Sequence, residues 1–329
     1  MGLTVGLQPP RRVSVIVPSC DRPSTLREAL ASIRALEDSD LAFEILVGDN
    51  GSNPETRIVA EEFSAVHLRV SGRGASAARN AGLWAAQGDY LAFLDDDDVW
   101  LPTHVRGQLA FLDAHPDFEA VVGQVVSVDS NLQPLGAPWP VDAPRDGDLF
   151  IQMMSGYFPQ IGATITRTQV RESVGGFDES LMGDEDWDWH LRIARRHRVG
   201  FIQTPSVLFR QRPAGSFDSL QLHRLAYTPG IFVRHAISAS NRWRTWADLL
   251  RSYVATLRVY HNYFVDAAIN RANSNQRISA LRAIWIATLI LPPQTFKILL
   301  SKTPLQRALL TAVTSRQMNK ESLRNNGLS

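Results

Sequence analysis

Four consecutive carboxylates form the strongest chemical signal in this sequence. Asp95, Asp96, Asp97 and Asp98 follow directly after the apolar run 90–94. Adjacent carboxylates repel one another, and a divalent cation at the carboxyl end of a strand would relieve that repulsion. Mg²⁺ or Mn²⁺ suits such a site, because it prefers oxygen ligands and takes one or two carboxylates together with nucleotide phosphates. An exposed acidic turn at a helix N-terminus is the alternative interpretation.

A second pair of carboxylates, Glu185 and Asp186, precedes Trp187 and Trp189 on a segment with helical spacing. Tryptophan rings beside a carboxylate partly desolvate it, which raises its pKa towards the range of a general base. A helix N-terminus stabilised by acidic residues, with the tryptophans in the core, explains the same pattern.

Two further positions carry weaker signals. Asp49 follows the apolar run 43–47, where a carboxylate could accept hydrogen bonds from a ribose hydroxyl or a base N–H. An Asx turn in a loop rich in Asn and Gly is the alternative for Asp49. Arg79 and Asn80 could provide a cation and an amide to phosphates or to the aspartate run, or form a surface salt bridge.

Strand and helix patterns alternate ahead of these side chains. Strands are predicted at 13–17, 43–47, 67–70 and 90–94, and again near 119–128 and 161–166. Helices are predicted from Pro23, over 54–64 and 75–86, and around Glu185. Alternation at this spacing favours βαβ units, and therefore an α/β fold with a mostly parallel central sheet flanked by helices.

Charge divides the chain into two regions. Residues 1–218 carry 19 Lys and Arg against 30 Asp and Glu, whereas residues 219–329 carry 15 against 3. We therefore predict a catalytic domain at 1–218 and a mainly helical, basic region at 219–329, which binds an anionic partner or is merely solvated. Its most apolar run, 284–293, is too short to span a membrane and predicts a buried or interfacial helix.

Ordinary composition excludes a disordered or fibrous class. Hydrophobic residues make up 44% of the 329 positions and charged residues 20%. A single cysteine, Cys20, excludes an internal disulfide and is compatible with a reducing compartment. Because residues 1–12 lack a long apolar run, no secretory signal is expected.

Six ordered motifs resemble the family 2 glycosyltransferases of the GT-A (Rossmann-like) fold. The similarity covers about residues 11–212 and does not extend into the basic region. The motifs are Val15–Pro18 with Asp21-Arg22, Gly48–Ser52, Gly74–Gly82, Phe93–Asp98, Val174–Asp178 and Gly183–Trp187.

The resemblance implies an inverting, metal-dependent transfer of a sugar from a nucleotide-diphosphate-sugar to an acceptor hydroxyl. Asp186 would be the catalytic base, Asp95 and Asp97 the metal-binding Asp-x-Asp motif, and Glu185 and Trp187 would lie near the acceptor. Relatives often carry a His after the Arg of their last strand, whereas the stretch Phe209–Ser216 of this chain has none, and Arg210 or Arg212 could serve the diphosphate instead. The donor-binding set would be Pro18, Asp21, Asp49, Arg79, Asp95, Asp96 and Asp98.

The resemblance also implies the ligands and setting. Mn²⁺ or Mg²⁺ and a UDP-sugar are the expected cofactor and donor, and a carbohydrate or lipid-linked molecule is the expected acceptor, in cell-surface polysaccharide or glycolipid synthesis. We expect a cytoplasmic protein whose basic region contacts an anionic membrane or another subunit. Nucleic acid is not expected as a partner, since no binding motif accompanies the charge.

Two other functions remain open from the sequence. The aspartate run also fits the nucleophile motif of haloacid-dehalogenase-type phosphatases, with Asp95 attacking phosphorus, although three βα units precede it here. A non-catalytic protein that binds sugar nucleotides or glycans is the second alternative.

Overall fold

A single eight-stranded sheet organises the first part of the chain. The structure, a computed structural model, describes residues 10–142, 147–211, 216–274 and 276–300. The spatial order of the strands is β3-β2-β1-β4-β7-β6-β8-β5. Their bounds are β1 Arg11–Ser19, β2 Leu41–Asp49, β3 Val66–Arg69, β4 Tyr90–Phe93, β5 Val99–Trp100, β6 Phe118–Val128, β7 Thr164–Arg167 and β8 Arg198–Arg210.

The pairing is mostly parallel. β1 runs parallel to both β2 and β4, β2 to β3, and β6 to β8, whereas β7 is antiparallel to β4 and β6, and β5 is antiparallel to β8. The predicted α/β class with a mostly parallel sheet and a helical C-terminal region is confirmed. The predicted strands at 13–17, 43–47, 67–70, 90–94 and 119–128 correspond to β1, β2, β3, β4 and β6. Only the second half of the strand predicted at 161–166 lies in β7, because Ile161–Ala163 form a 3-10 helix.

Helices connect the strands and continue beyond them. Those of the first part are α1 Pro23–Arg34, α2 Glu55–Glu62, α3 Gly74–Ala85, α4 His104–Ala114, α5 Phe150–Met153, α6 Val170–Val174, α7 Glu185–Arg196 and α8 Ser216–Ser238. The later ones are α9 Trp246–Asn273, α10 Arg277–Ile290 and α11 Pro292–Leu300.

The sequence of β1 explains its central position. Val13, Val15, Ile16 and Val17 are completely buried, as expected of a strand covered on both faces. The strand ends at the carboxyl edge with Ser19 paired to Asp49 of β2. This register brings the two strand ends, and the loops that follow them, to one edge of the sheet.

Glycines allow α3 to approach the sheet. A Cβ on Gly82 would lie 2.7 Å from Ile16 Cγ2, and one on Gly48 would lie 2.2 Å from the Ala78 carbonyl oxygen. Neither position has room for a larger side chain. The close contact sets the depth at which Arg79, on α3, enters the fold.

The chain forms two compact units. One comprises Met1–Met153 with Tyr157–Arg242, and the other comprises Met154–Gly156 with Trp243–Ser329. The first unit therefore extends beyond the boundary predicted at 218. Arg224 and Thr228 of α8 donate to Asp184 in the turn before α7, and His235 is hydrogen-bonded to Asp188 of α7.

The second unit is helical in its described part. Phe264, Val265 and Ala268 of α9 pack against Ala283 and Ala287 of α10. The Thr256 hydroxyl donates a hydrogen bond of 2.8 Å to the carbonyl oxygen of Met154. Within the described ranges, no helix has the length and hydropathy needed to cross a membrane.

Candidate active site

A cleft of about 410 Å³ opens at the carboxyl edge of the sheet. Its walls come from the ends of β1 and β8, the aspartate loop after β4, the start of α3, the turn before α7 and one face of α8. The residues that line it include Pro18, Arg22, Arg79, Asp95, Asp97, Glu185, Asp186, Arg210 and Arg224. An open parallel sheet binds ligands at this edge, where the strand order reverses.

The aspartate run divides into two that line the cleft and two that lie behind it. Asp95 and Asp97 are partly exposed in the cleft, whereas Asp96 and Asp98 are buried. Asp98 accepts hydrogen bonds from Gln160 Nε2 at 3.0 Å and from the Arg210 backbone N–H at 2.9 Å. The inner pair thus fixes the loop, and the outer pair faces the ligand space.

Burial dominates the electrostatics of the inner pair. Desolvation raises the pKa of Asp96 to about 7, against the opposing effect of Arg22. Desolvation, with the repulsion of Asp95 and Asp97, also raises the pKa of Asp98 well above its usual value. Arg22 forms ion pairs with Asp96 and Asp97, so the density of negative charge is partly compensated by the protein itself.

A buried arginine joins the two carboxylate groups that the sequence singled out. The guanidinium group of Arg79 donates one hydrogen bond of 2.7 Å to Asp95 and one of 2.8 Å to Glu185. Its side chain lies over the Phe177 ring, 5.5 Å from the ring centroid. Attraction to both carboxylates and to Asp186 outweighs desolvation and raises the pKa of Arg79, so it stays charged.

Asp186 has the environment expected of a base. It lies in the first turn of α7, and its carboxylate accepts a hydrogen bond of 2.8 Å from the Trp187 backbone N–H. Desolvation and the neighbouring Glu185 raise the pKa of Asp186 to about 7, although Arg224 and Arg79 oppose the shift. A carboxylate in this state can accept a proton near neutral pH.

The backbone turn before α7 is held by α8. Asp184 has a left-handed φ of 58°, which is rare for a residue with a side chain. Its buried carboxylate accepts a hydrogen bond from Arg224 Nε and one of 2.7 Å from the Thr228 hydroxyl. These contacts hold the turn in its rare conformation and therefore fix where Glu185 and Asp186 enter the cleft.

Asp49 and Asp21 shape the loop after β2 and are not among the cleft-lining residues. Asp49 accepts hydrogen bonds from the Gly51 backbone N–H and from His67, both at 2.9 Å. Asp21 accepts from the backbone N–H groups of Ser52 and Asn53, which lowers the pKa of Asp21. Their predicted contacts with the nucleotide stay predictions, and the Asx-type bonds anticipated for Asp49 are present.

Trp187 is buried. Its Nε1 donates to the Met153 carbonyl oxygen at 3.3 Å, and its ring packs 4.9 Å from that of Phe158. The ring therefore anchors α7 to Met153 and Phe158. The stacking of Trp187 on a sugar stays a prediction.

The sequence missed three contributors to the cleft. Arg22 was visible only as part of a motif, and the roles of Asp184 and Arg224 depend on a contact between α8 and the turn before α7. Arg210 donates from Nε to the Asp97 carbonyl oxygen at 2.8 Å, so it braces the aspartate loop, while Arg212 lies outside the described residues.

The cleft offers carboxylate oxygens to a divalent cation. In the described part of the chain, no group of three or more His, Cys, Asp or Glu side chains is arranged to hold a metal ion. Two cleft-facing carboxylates, Asp95 and Asp97, nevertheless match the donor set of a Mg²⁺ or Mn²⁺ ion that takes its other oxygens from a diphosphate and water. The residues present fit that arrangement.

Comparison with known proteins agrees with the geometry. Residues 14–166 match Glycosyl transferase family 2. The chain is 27% identical over 239 residues to the uncharacterized glycosyltransferase YwdF of Bacillus subtilis, covering 69% of this chain and 85% of that protein. Both matches support a family 2 glycosyltransferase. They favour a sugar-transferring enzyme over the phosphatase and the non-catalytic binding protein.

Further similarity comes from one characterised relative and two solved structures. The Escherichia coli glucosyltransferase WfgD is 33% identical over 104 residues, which is 30% of this chain and 40% of WfgD. TarS of S. aureus superposes with a TM-score of 0.56 at 18% identity, covering 96% of this chain and 92% of that one. The mannosyltransferase PcManGT of Pyrobaculum calidifontis gives 0.52 at 18% identity, covering 95% and 88%. These structures show that the fold is GT-A.

Proposed function

We propose that this glycosyltransferase moves a sugar from a UDP-sugar to an acceptor hydroxyl, with inversion at the anomeric carbon and with a divalent metal. The observation that carries the proposal is the pair of hydrogen bonds that Arg79 donates to Asp95 and to Glu185. They keep Asp95, one of the two proposed metal ligands, and Glu185, the neighbour of the proposed base, in the same cleft. A donor diphosphate and an acceptor hydroxyl could then be bound side by side.

Asp186 would take the proton from the acceptor hydroxyl as the oxygen attacks the anomeric carbon. Glu185 remains ion-paired with Arg79, and its negative charge raises the pKa of Asp186, which favours proton uptake by Asp186. The nucleoside diphosphate leaves on the opposite face, so the configuration inverts. Arg22 and Arg210 line the cleft and can stabilise negative charge on the departing phosphates.

Asp95 and Asp97 would hold the metal, and the ion, when bound, would neutralise the charge that develops on the leaving diphosphate. The N-terminus of α3 lies against the same cleft through Gly74 and Ala75. Its backbone N–H groups suit a phosphate as well. PcManGT was solved in complex with GDP-Man and Mn²⁺, which supports a metal in this fold.

The donor and acceptor classes follow from relatives. WfgD transfers glucose from UDP-Glc to α-D-GlcNAc-diphosphoundecaprenol, and TarS was solved in complex with UDP-GlcNAc. We propose a UDP-sugar donor and a lipid-linked or carbohydrate acceptor of cell-surface polysaccharide or glycolipid synthesis. We further propose that the protein works in the cytoplasm, at the inner face of the membrane that carries such an acceptor.

The experiment is a transfer assay with a panel of UDP-sugars, Mn²⁺ and lipid-diphosphate-linked sugar acceptors. We expect UDP release and a product of inverted anomeric configuration by NMR, with turnover lost in Asp186→Asn while UDP still binds. A product of retained configuration would refute the role of Asp186 as a base for direct attack. Phosphate release from phosphomonoesters, lost on Asp95→Asn, would refute sugar transfer.

A further inference from the structure

Helix α10 exposes an apolar face that no described residue of the second unit covers. Ile278, Leu281, Trp285 and Leu289 recur at intervals of three, four and four residues, so they lie on one face of the helix. All four are exposed, Ile278 to 85% and Trp285 to 63%. Scattered exposed apolar residues are normal on a protein surface, whereas a continuous stripe of them indicates a binding surface.

The opposite face of α10 already forms the core of its unit. Ala280, Ala283, Ile286 and Ala287 are buried, and the last three pack in the cluster around Phe264 of α9. Because that face is satisfied, the exposed stripe does not belong to the internal packing of the described helices. The helix is therefore apolar on both sides, and only the inner side has an occupant in the described structure.

Charge identifies the occupant of the outer face. Arg282 is exposed between the apolar side chains of the stripe, and Arg277 begins the helix. No acidic residue occurs between Arg277 and Leu300, a stretch that also contains Lys297. Apolar side chains with interspersed arginine and an exposed tryptophan fit the boundary between acyl chains and anionic headgroups.

Helix α11 extends the same character. Phe296 and Leu300 are exposed at an interval of four residues, and Lys297 lies beside Phe296. Together α10 and α11 provide six large exposed apolar side chains, with Arg282 and Lys297 exposed among them. An acidic protein partner would match the cations but would not require so many aliphatic and aromatic side chains on the same helices.

We propose that the outer face of α10 and α11 docks on an anionic lipid surface, lying in the plane of the interface. Trp285, Ile278 and Leu289 enter the boundary region of the bilayer, and Arg282 and Lys297 bind phosphate groups of the lipids. The docking surface is separate from the sugar-transfer site. The docking proposal does not depend on the proposed donor or acceptor, because vesicle binding is measured without sugar transfer.

The test is co-sedimentation of the full chain with vesicles made of equal parts of phosphatidylcholine and phosphatidylglycerol, and with vesicles of phosphatidylcholine alone. We expect binding to the anionic vesicles at low salt and weaker binding at high salt. Trp285→Ser should weaken the partition at least about tenfold, because a large apolar side chain no longer leaves water. Arg282→Ser should weaken it about fivefold on anionic vesicles only.

Trp84→Ser is the matched control, since Trp84 is 54% exposed on α3 of the other unit. It should bind vesicles as the unmodified chain does. Circular dichroism establishes that each variant is folded. Equal binding by the Trp285→Ser and Trp84→Ser variants, or no binding of the unmodified chain at low salt, would overturn the proposal. So would a dimer in light scattering that Trp285→Ser dissociates, because the stripe would then be a subunit interface.

Discussion

The ionisation state of one residue should control the rate of transfer. Because burial and Glu185 raise the pKa of Asp186 to about 7, its base form is depleted below that pH. We expect kcat/KM to rise with pH and to level off above about pH 7. Asp186→Asn should lower kcat about 10²–10⁴-fold, as is usual for loss of a general base.

Glu185 provides the control for this assignment. Glu185→Gln removes the negative neighbour while keeping a similar shape, so the rising limb should move to lower pH. A limb that stays in place in Glu185→Gln, or that persists in Asp186→Asn, would show that another group titrates.

Arg79 should be important for stability as well as for the site. Its guanidinium group bridges Asp95 and Glu185 from a buried position, and a lysine cannot reach both carboxylates in that geometry. We expect Arg79→Lys to lower the free energy of unfolding by about 2–4 kcal/mol, measured in urea, since a carboxylate loses its partner.

Arg57→Lys is the comparison. Arg57 pairs with Glu61 on the surface of α2, where such pairs contribute little. It should unfold at the same urea concentration as the unmodified chain. An equally small effect of Arg79→Lys would contradict the bridging role.

Residue types located the cleft better than they predicted its geometry, since Asp95, Asp97, Glu185 and Asp186 all line it. The aspartate run and the Glu185-Asp186 pair stood out because adjacent carboxylates repel one another unless a positive charge compensates them. The division between outer Asp95 and Asp97 and inner Asp96 and Asp98 depends on which way each side chain leaves the loop, and sequence spacing does not specify that. The Asp184–Arg224 bond was missed because Asp184 lies in the turn before α7, whereas Arg224 lies in α8, 40 residues further along the chain.

At the scale of elements, the contact of α3 with the sheet should tolerate no added methyl group at its centre. Gly82→Ala places a Cβ against Ile16 and should cost about 1–3 kcal/mol of stability. Gly107→Ala, on an exposed face of α4 with Ile202 Cδ1 at 3.6 Å, should instead stabilise by about 0.5–1 kcal/mol. Thermal unfolding of the two variants should show shifts of opposite sign, and shifts of the same sign would contradict the account.

The link between α7 and α8 is expected to position the base. Thr228→Val removes one hydrogen bond to the buried Asp184 carboxylate at nearly constant volume. We expect a loss of about 1–3 kcal/mol in unfolding free energy, together with a lower kcat. Thr228→Ser keeps the hydroxyl and should restore both quantities. A Thr228→Val variant with unchanged stability and rate would show that α8 does not hold the turn.

Element prediction succeeded where patterns were regular and failed where pairing was irregular. The strands of the first half were predicted because each is a short apolar run between turn residues. β5 was missed because it has two residues, and β8 because its pattern is interrupted by Pro205 and by register shifts against β6. Both gain their strand character from neighbours that are distant in sequence.

At the scale of the whole molecule, charge and packing divide the chain at different points. Acidic residues thin out near 218, whereas the first compact unit continues to Arg242. The difference lies in α8, whose Arg224 and Arg234 satisfy carboxylates of the catalytic unit. A boundary drawn from net charge placed these arginines with the basic region, because the sequence does not show where their partners are.

The most direct test of a metal-dependent sugar-nucleotide site is calorimetric titration of UDP into the protein with and without Mn²⁺. We predict binding that requires Mn²⁺, that is lost in Asp97→Ala and that persists in Asp142→Ala, a change of an exposed aspartate that does not line the cleft. Binding of UDP to Asp97→Ala as tight as to the unmodified chain, or no binding of any nucleoside diphosphate to the folded protein, would contradict the account.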